Sequence, residues 1–366
     1  MEPLGSEEAA PRTRGLVSRA TKLSTVPDRR AVLSAADSPR TFWSAPDEAT
    51  VVGSGSATTI RADGPDRFRA VREAATELFS VGDVHAGALA ARPRLFGGFA
   101  FHDEHTEAAP WEGYPGAKFV LPRTQVTYAG DEAWLTVNDI GTDPEAVERR
   151  LEEAADRFET LPDPGSVGTP PGITERTRTT SEAEWRESVV AATDRIAAGE
   201  LRKVVLAQAL RTSLERPLSM PATLARLERR YPDCYRFLVE PDGGSGGFFG
   251  ATPERLVGRR GRTVETGALA GTTGRGDTPE EDEWLAAELL ADEKNVHEHE
   301  LVADAVRSQL APYAASIRAG ERSIRRLATV QHIETPITAE LADDEHVLNL
   351  VEALHPTPAV GGLPPT

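Results

Sequence analysis

Helix-like and strand-like segments follow one another irregularly between residues 185 and 354, and this order limits the possible folds more than any other feature. Apolar residues recur at helical spacing from Trp185 to Ile196, and Gly199 is placed to end that helix. The remaining segments are strands at 204–210, 233–240 and 246–257, a helix opened by a capping box at 278–281 and ending near Leu290, a helix at 294–310, a strand near 327–339 and a helix at 345–354. Because strands and helices do not alternate regularly, the sequence predicts an α+β fold rather than a doubly wound sheet.

A proline- and glycine-rich segment at 162–172 breaks all periodicity and marks a linker or a long loop. The chain before it predicts helices at 65–79 and 143–159, a buried strand at 95–101, and strands at 118–128 and 133–139. Residues 1–40 lack clear periodicity, and we expect them to be partly ordered. The predicted organisation is therefore an N-terminal segment at 1–40, an N-terminal part of the fold at 41–172 and a second region at 173–366.

Composition narrows the classes of function. The formal net charge of −17 argues against nucleic-acid binding, because phosphate recognition requires concentrated Lys and Arg. No apolar run is long enough to span a membrane or to serve as a signal peptide, and the single Cys234 indicates a reducing cytoplasm. Lysine is scarce, as in haloarchaeal proteins, although a GC-rich genome with an ordinary acidic surface explains the same composition. An anionic substrate would need a local basic pocket or a metal ion.

Two ionisable residues stand at the edges of apolar segments. Lys203 lies in R-K-V-V-L-A-Q at 202–208, where partial loss of hydration would lower its pKa and make it a usable general base; alternatively it is a strand-end lysine that reaches solvent. Glu254 ends the turn G-A-T-P-E at 250–254, where Pro253 fixes the direction of approach. Alternatively it is an ordinary turn glutamate, paired with Arg255 or Arg259.

Four further motifs follow these two. E-T-G-A-L-A-G-T at 265–272 has glycines that allow a ligand to approach the backbone closely. The charged segment at 292–302 contains Glu298 between two histidines, but residues two apart on a helix face different directions, so its spacing does not predict a zinc site. A solvated acidic face is the alternative for this segment. Gln331-His332 and L-H-P-T-P-A-V-G-G at 354–362 complete the series, and both also suit purely structural roles.

Taken together, these motifs resemble those of the chorismate-utilising enzymes, and within them the isochorismate synthases. The resemblance is strong over about 185–363 and weaker at 92–101. It implies the α+β chorismate-binding fold, which is like that of anthranilate synthase component I, with large β-sheets inside and helices outside. It also implies a Mg²⁺-dependent active site that acts on chorismate.

The resemblance assigns a role to individual residues. Lys203 is expected to activate the water that attacks ring carbon 2, Glu254 to protonate the hydroxyl that leaves ring carbon 4, and Glu298 to bind Mg²⁺. The residues expected to contact the substrate are Gly267, Ala268, Gly271, Thr272, His332, Ala359 and Val360.

Particular residues also separate the subfamilies. Anthranilate synthases, which use ammonia, lack the lysine at the position of Lys203, so no glutaminase partner is expected. Aminodeoxychorismate synthases often carry a nucleophilic lysine where this chain has Ala270. The sequence thus predicts a monomeric isochorismate synthase for menaquinone biosynthesis or, as the second choice, a catechol siderophore. A salicylate synthase and a non-catalytic remnant are the alternatives.

The resemblance stops at Gly361-Gly362-Leu363-Pro364-Pro365-Thr366. Members of the family continue with strands that supply an arginine for the substrate carboxylate, a G-A-G-I-like segment and a further metal-binding glutamate. From this difference we expect the C-terminal portion of the catalytic region to be missing, with an incomplete core and a damaged active site.

Overall fold

The computed structural model describes residues 15–46, 48–244 and 246–364. Two compact units share these residues. The first unit contains the described residues up to Gly165 together with Phe237–Gly250, and the second contains Ser166–Arg236 and the described residues from Ala251 onward. The sequence predicted changes of region at 40 and 172. A segment that returns to the first unit was not predicted.

The strands are β1 (Leu16–Lys22), β2 (Arg40–Ser44), β3 (Thr50–Ser54), β4 (Thr58–Ala62), β5 (Asp83–His85), β6 (Phe96–Phe99), β7 (Ala117–Leu121), β8 (Thr124–Ala129), β9 (Glu132–Ile140), β10 (Ile173–Arg178), β11 (Leu210–Leu214), β12 (Tyr235–Glu240), β13 (Phe248–Thr252), β14 (Gly258–Arg260), β15 (Thr263–Gly274), β16 (Ala314–Ala319), β17 (Ser323–Arg326) and β18 (Val330–Leu341). The helices are α1 (Arg29–Ala35), α2 (Arg67–Ser80), α3 (Pro144–Glu159), α4 (Glu182–Ala197), α5 (Met220–Arg230), α6 (Pro279–Ala291), α7 (Glu293–Leu310) and α8 (Val347–Leu354).

The first unit is built on two sheets. An eight-stranded sheet has the order β13-β12-β2-β3-β8-β9-β1-β5, and a three-stranded sheet has the order β4-β7-β6. Helix α3 packs on β1 and β9 and buries Val147, Leu151 and Phe158, which share one helical face. Helix α2 packs on β4 and β7 through Phe68, Val71 and Ala75. Each helix thus covers a sheet with the apolar stripe that its sequence provides.

The core of the second unit lies between a sheet and a long helix. The sheet has the order β14-β15-β18-β16, and β17 also pairs with β18. Helix α7 presents Val302, Val306 and Leu310 at four-residue spacing, and all three are buried against residues of β15 and β18 such as Val264 and Ile337. Leu350 and Leu354 of α8 close the same cluster. This sheet and α7 position most of the predicted site residues.

Several predicted elements differ from the structure. Residues 204–209 form no strand, because no strand among the described residues pairs with them, and Val205 is 40% exposed. Strand β6 is shorter than predicted and its two glycines are exposed, so the expectation of a buried strand at 95–101 was wrong. Helix α4 forms as predicted, but the structure describes no buried residue in it.

Smaller differences concern element ends. The run at 118–128 is two strands, because Pro122 and Arg123 separate β7, which belongs to the three-stranded sheet, from β8, which belongs to the eight-stranded sheet. At the start of α6, the Thr278 side chain accepts a hydrogen bond from the Glu281 amide, but the Glu281 carboxylate accepts from Asp277 and not from Thr278. Residues 15–40 contain β1 and α1, whereas residues 1–14 of the predicted partly ordered segment lie outside the described residues.

Within the described ranges, no helix combines the length and the apolar character that a membrane crossing requires.

Candidate active site

Strand β18 divides the second unit into a packed face and an open face. Its residues alternate strictly from Gln331 to Leu341, with odd-numbered side chains buried and even-numbered ones partly or fully exposed. Of the buried positions, Ile337, Ala339 and Leu341 belong to the core described above. His332, Glu334 and Pro336 therefore lie on the opposite face, where a ligand has access.

Strand β15 adds its own residues to this open face through its pairing with β18. Gly267 is opposite Pro336, and Leu269 is opposite Glu334. Directly opposite residues in an antiparallel pair share a face. By the same rule Ala268, opposite the buried Thr335, belongs to the packed face, and its side chain is fully buried in the core cluster. Of the predicted substrate-contacting residues, Ala268 could therefore offer only its backbone.

Gly271 forms a β-bulge that brings the next residue onto the open face. The register shifts between Ala270 and Thr272, and Gly271 has φ of 78°, a left-handed conformation that favours glycine. A Cβ atom at Gly271 would lie 3.2 Å from Cδ1 of Ile333 and 3.4 Å from Cβ of Asn295 in α7. The sequence A-G-T thus folds into a bulge against the first turn of α7.

The bulge pairs Thr272 with His332. The two are opposite each other, and Oγ1 of Thr272 is 2.9 Å from Nδ1 of His332. Burial lowers the pKa of the His332 imidazole, although the carbonyl of Gly271 and the charge of Glu334 act in the other direction. A neutral imidazole held by Thr272 can donate one hydrogen bond and accept another.

Lys203 is held by the C-terminal motif. Its backbone forms an antiparallel bridge with Leu363, in which the Leu363 amide donates to the Lys203 carbonyl at 2.9 Å. The ammonium group donates a hydrogen bond to the carbonyl of Pro358. Lys203 is half-buried, and this burial lowers its pKa, while the charges of Glu298 and Glu254 oppose the shift. The side chain is thus not a solvated strand-end lysine.

Glu254 lines a small cavity of about 160 Å³ beside the open face. Its amide donates to Oγ1 of Thr252 at 3.3 Å, which fixes the turn that presents the carboxyl group. Burial raises the pKa of the Glu254 carboxyl, against the opposing charges of Arg325 and Lys203. The alternative pairing with Arg255 or Arg259 is not found: Arg255 binds Glu265 at 2.8 Å, and Arg259 binds Asp344.

Arg325 is the main residue of this site that the sequence reasoning missed. It lies in β17, lines the same cavity as Glu254, and forms an ion pair with Glu334 at 3.0 Å. Its charge acts on both Glu254 and His332. The segment S-I-R-R is too short for a clear period-two signal, which is why β17 was not predicted, and only its arginines ahead of Gln331-His332 could have pointed to it.

Glu298 lies one turn into α7, and its charge acts on Lys203. Its side chain is 36% exposed, and Oε1 is 3.7 Å from Nζ of Lys294. The flanking residues diverge as predicted: His297 is exposed, whereas His299 is buried and its Nε2 is 2.8 Å from Oγ1 of Thr335. Glu298 is therefore accessible to solvent and to a ligand. Its charge also acts on the pKa of Lys203.

Mg²⁺ requires oxygen ligands, and the candidate site supplies the carboxylate of Glu298. In the part of the chain that the structure describes, no group of three or more His, Cys, Asp or Glu side chains could enclose a metal ion. Mg²⁺ does not need such a cage, because it keeps several waters and is bound by one or two carboxylates plus substrate oxygens. The accessible carboxylate of Glu298 fits that requirement as a single protein ligand.

The last two predicted residues lie in the loop that holds Lys203. Ala359 packs against the core cluster of the second unit, and Val360 is exposed. The Val360 amide donates to the carbonyl of Thr357 at 3.2 Å, so the loop closes on itself. Its structural contribution is direct, since it supplies the carbonyl of Pro358 to Lys203.

The second unit contains one side chain that can act as a base, Lys203, and one that can act as an acid, Glu254. Burial favours the neutral amine of Lys203 and the neutral acid of Glu254, and each is within electrostatic range of the other. A neutral amine can accept a proton and a neutral carboxylic acid can donate one. Arg325 and the glycine backbone of β15 lie beside them as groups that can meet an anionic, ring-shaped ligand.

The α+β fold and the pair formed by Lys203 and Glu254 are compatible with a protein that binds a small anionic compound. Residues 6–366 match the sequence profile of the family described as "Chorismate binding enzyme". The chain belongs to this family, which confirms the resemblance seen in the motifs.

The chain is also similar to named isochorismate synthases, both in sequence and in structure. The chain is 30% identical over 339 residues to isochorismate synthase MenF of Bacillus subtilis, spanning 89% of this chain and 70% of the relative. It is 33% identical over 340 residues to the salicylate biosynthesis isochorismate synthase of Pseudomonas aeruginosa, spanning 89% of this chain and 68% of the relative. The structure of MenF, the menaquinone-specific isochorismate synthase from Escherichia coli, superposes with a TM-score of 0.77 at 25% identity, covering 96% of this chain and 77% of that one.

A more distant structure tests the fold alone. Anthranilate synthase component I from Streptococcus pneumoniae superposes with a TM-score of 0.63 at 18% identity, covering 97% of this chain and 74% of that chain. The predicted α+β chorismate-binding fold is thereby confirmed.

Proposed function

We propose that this protein is an isochorismate synthase, which converts chorismate to isochorismate. The observation that carries the proposal is the pair formed by Lys203 and Glu254, whose pKa values are shifted by burial in the directions that a base and an acid require. The relatives from Bacillus subtilis and Pseudomonas aeruginosa both carry isochorismate synthase in their names, which supports the same reaction.

The proposed reaction uses one proton acceptor and one proton donor. The neutral amine of Lys203 takes a proton from a water molecule, whose oxygen then bonds to ring carbon 2. The double bonds shift as the hydroxyl leaves ring carbon 4, and Glu254 supplies the proton with which it departs as water. The ring keeps its composition, since one water is added and one is released.

The remaining residues would bind and orient the ring. We propose that backbone groups of Gly267, Ala268 and Gly271 approach a substrate carboxylate, and that Thr272 and His332 hydrogen-bond to the ring substituents. Val360 and Ala359 would shape the loop beside Lys203. If Mg²⁺ is the cofactor, Glu298 would hold it, and its charge would offset repulsion between an acidic protein and a dicarboxylate.

Biological context follows by analogy. We propose menaquinone biosynthesis as the pathway, because the similar proteins from Bacillus subtilis and Escherichia coli are both MenF proteins. We also propose a cytoplasmic monomer that works without a glutaminase partner, since Lys203 stands where an ammonia-using enzyme would lack it. The single buried Cys234 agrees with a reducing compartment.

The decisive experiment is chorismate turnover by the full chain with Mg²⁺ at high salt, with products separated by chromatography and an EDTA control. Isochorismate is expected, and salicylate with pyruvate, or anthranilate when ammonia is supplied, would each replace the proposal with another reaction. Unchanged chorismate would contradict it.

Matched variants then test the two assigned roles. Lys203→Met and Glu254→Gln should each lower turnover about 10²–10⁴-fold, the usual contribution of a general acid or base. Lys22→Met and Glu340→Gln serve as controls, because both side chains are exposed and neither residue is assigned a role in the reaction. Near-normal turnover in either test variant would remove that residue from the mechanism.

A further inference from the structure

One cavity of the first unit is lined by none of the residues assigned to the proposed reaction. It measures about 810 Å³, within the usual range of small-molecule sites, and lies beside the three-stranded sheet. Its walls are mostly apolar and aromatic, with Trp43, Trp111, Tyr114, Phe237 and Phe248 among the lining residues. All of them belong to the first unit. Unlike a packed core, this space has room for a ligand.

The aromatic walls are held at fixed angles. The Trp111 and Phe248 rings have centroids 5.6 Å apart at 66°, and those of Phe237 and Phe248 are 5.2 Å apart at 50°. The Tyr114 hydroxyl donates to the carbonyl of Val239 at 2.8 Å and accepts from the Phe248 amide at 2.8 Å. Rings arranged in this way accommodate a further flat ring by edge-to-face or offset contacts.

One lysine lies in this apolar surface. Lys118 is only 5% exposed, and its ammonium group makes one long hydrogen bond, to the carbonyl of Gly113 at 3.3 Å. Burial lowers the pKa of Lys118. An ammonium group has three donors, so two remain without a protein acceptor among the described residues. A buried charge of this kind is stabilised by an anion that brings its own acceptor oxygens.

The pleat of the sheet leaves space directly beside this lysine. Lys118 in β7 is opposite Gly98 in β6, so the two share a face of the sheet. A Cβ atom built on Gly98 would meet no heavy atom within 4 Å, and Gly98 lines the cavity. The neighbouring Gly97, by contrast, would collide with the backbone of β7. Gly98 is therefore not required by packing, and its missing side chain opens the cavity next to the ammonium group.

The other charges near Lys118 are exposed to solvent. Arg61 is opposite Lys118 in β4 and adds positive charge, whereas Glu107 and Asp242 act in the other direction. All three are exposed, and none of the ion pairs found among the described residues joins either carboxylate to Lys118. Glu104 also lines the cavity and is exposed. Solvent screens these charges more than it screens the buried ammonium group.

We propose that this cavity is a second ligand site, which binds a planar aromatic compound carrying one carboxylate, with the ring between the aromatic walls and the carboxylate on Lys118. This site is independent of the proposed reaction, because none of the residues assigned to that reaction lines it.

Calorimetric titration with 2-naphthoate tests the proposal, and 2-naphthalenemethanol serves as the neutral probe of the same shape. The carboxylate should bind at least tenfold more tightly than the alcohol, a difference of about 1.4 kcal/mol. Lys118→Met should remove this preference, and Gly98→Leu should weaken both probes by filling the space beside the lysine. Lys22→Met is the matched control, since Lys22 is an exposed lysine of the same unit that pairs with Glu132.

Two further results locate the probe. Binding should persist in Lys203→Met and in the presence of chorismate if the cavity of the first unit is the site. The proposal is overturned if both probes bind equally, or if no binding is detected at about 1 mM probe. It is also overturned if Lys118→Met and Gly98→Leu leave the binding of 2-naphthoate unchanged, or if chorismate displaces 2-naphthoate.

Discussion

Gly271→Ala is the perturbation for which the structure gives the clearest magnitude. An alanine in the left-handed conformation of Gly271 costs about 1–2 kcal/mol. Its Cβ atom would also lie 3.2 Å from Ile333, which would have to shift slightly, and 3.4 Å from Asn295, which is an ordinary contact. Against this, alanine restricts the unfolded chain and returns about 0.4–1 kcal/mol.

Gly274→Ala isolates the cost that belongs to the bulge. Gly274 lies at the end of the same strand, does not have a positive φ, and has open space around its would-be Cβ atom. The unfolded-state effect is common to both variants, so the difference between them should be about 1–2 kcal/mol, with Gly274→Ala the more stable.

Urea unfolding at constant salt would measure this difference, provided that the slope m is the same in both variants. Turnover should fall further in Gly271→Ala than in Gly274→Ala, because the bulge sets the register of Thr272 on His332. Equal midpoints for the two variants would refute the reasoning that a left-handed glycine holds this part of the site.

Three other predictions concern charge. The pH profile of kcat/KM should be a bell narrower than the interval between the ordinary values of 4.5 and 10.5, because the pKa of Glu254 is raised and that of Lys203 is lowered; limbs at the ordinary values would contradict the burial of both groups. Arg325→Met should move the acidic limb to higher pH, since its charge lowers the pKa of Glu254, and an unmoved limb would show that the two do not interact in solution. The melting temperature should rise between 0.1 and about 2 M KCl, because salt screens repulsion in a chain of net charge −17, and a constant melting temperature would argue against repulsion as a significant cost.

The long elements were predictable because their own sequence carries the signal. Helix α7 repeats apolar residues at Val302, Val306 and Leu310, and β18 alternates over its whole length, so local periodicity and the final packing agree. Lys203 and Glu254 were also predicted to lie at the margins of apolar segments, and burial shifts the pKa of both side chains.

Other features depend on partners that lie far away in sequence. The apolar run after Lys203 looks like a strand, but a strand needs a neighbour, and none among the described residues pairs with 204–209. The ion pair of Arg325 with Glu334 depends on how β17 folds back on β18, which no local pattern encodes. Ala268 could not be assigned to the packed face until the register of β15 was known.

The alternation along β18 has a consequence for how such a protein can change. Odd-numbered residues contribute to the free energy of unfolding, whereas even-numbered ones such as His332 and Glu334 border the space open to a ligand. Selection for stability would therefore act on the odd-numbered positions of β18, and selection for ligand binding on the even-numbered ones. A library that randomises only the even-numbered positions could explore new ring substrates while the core keeps its stability.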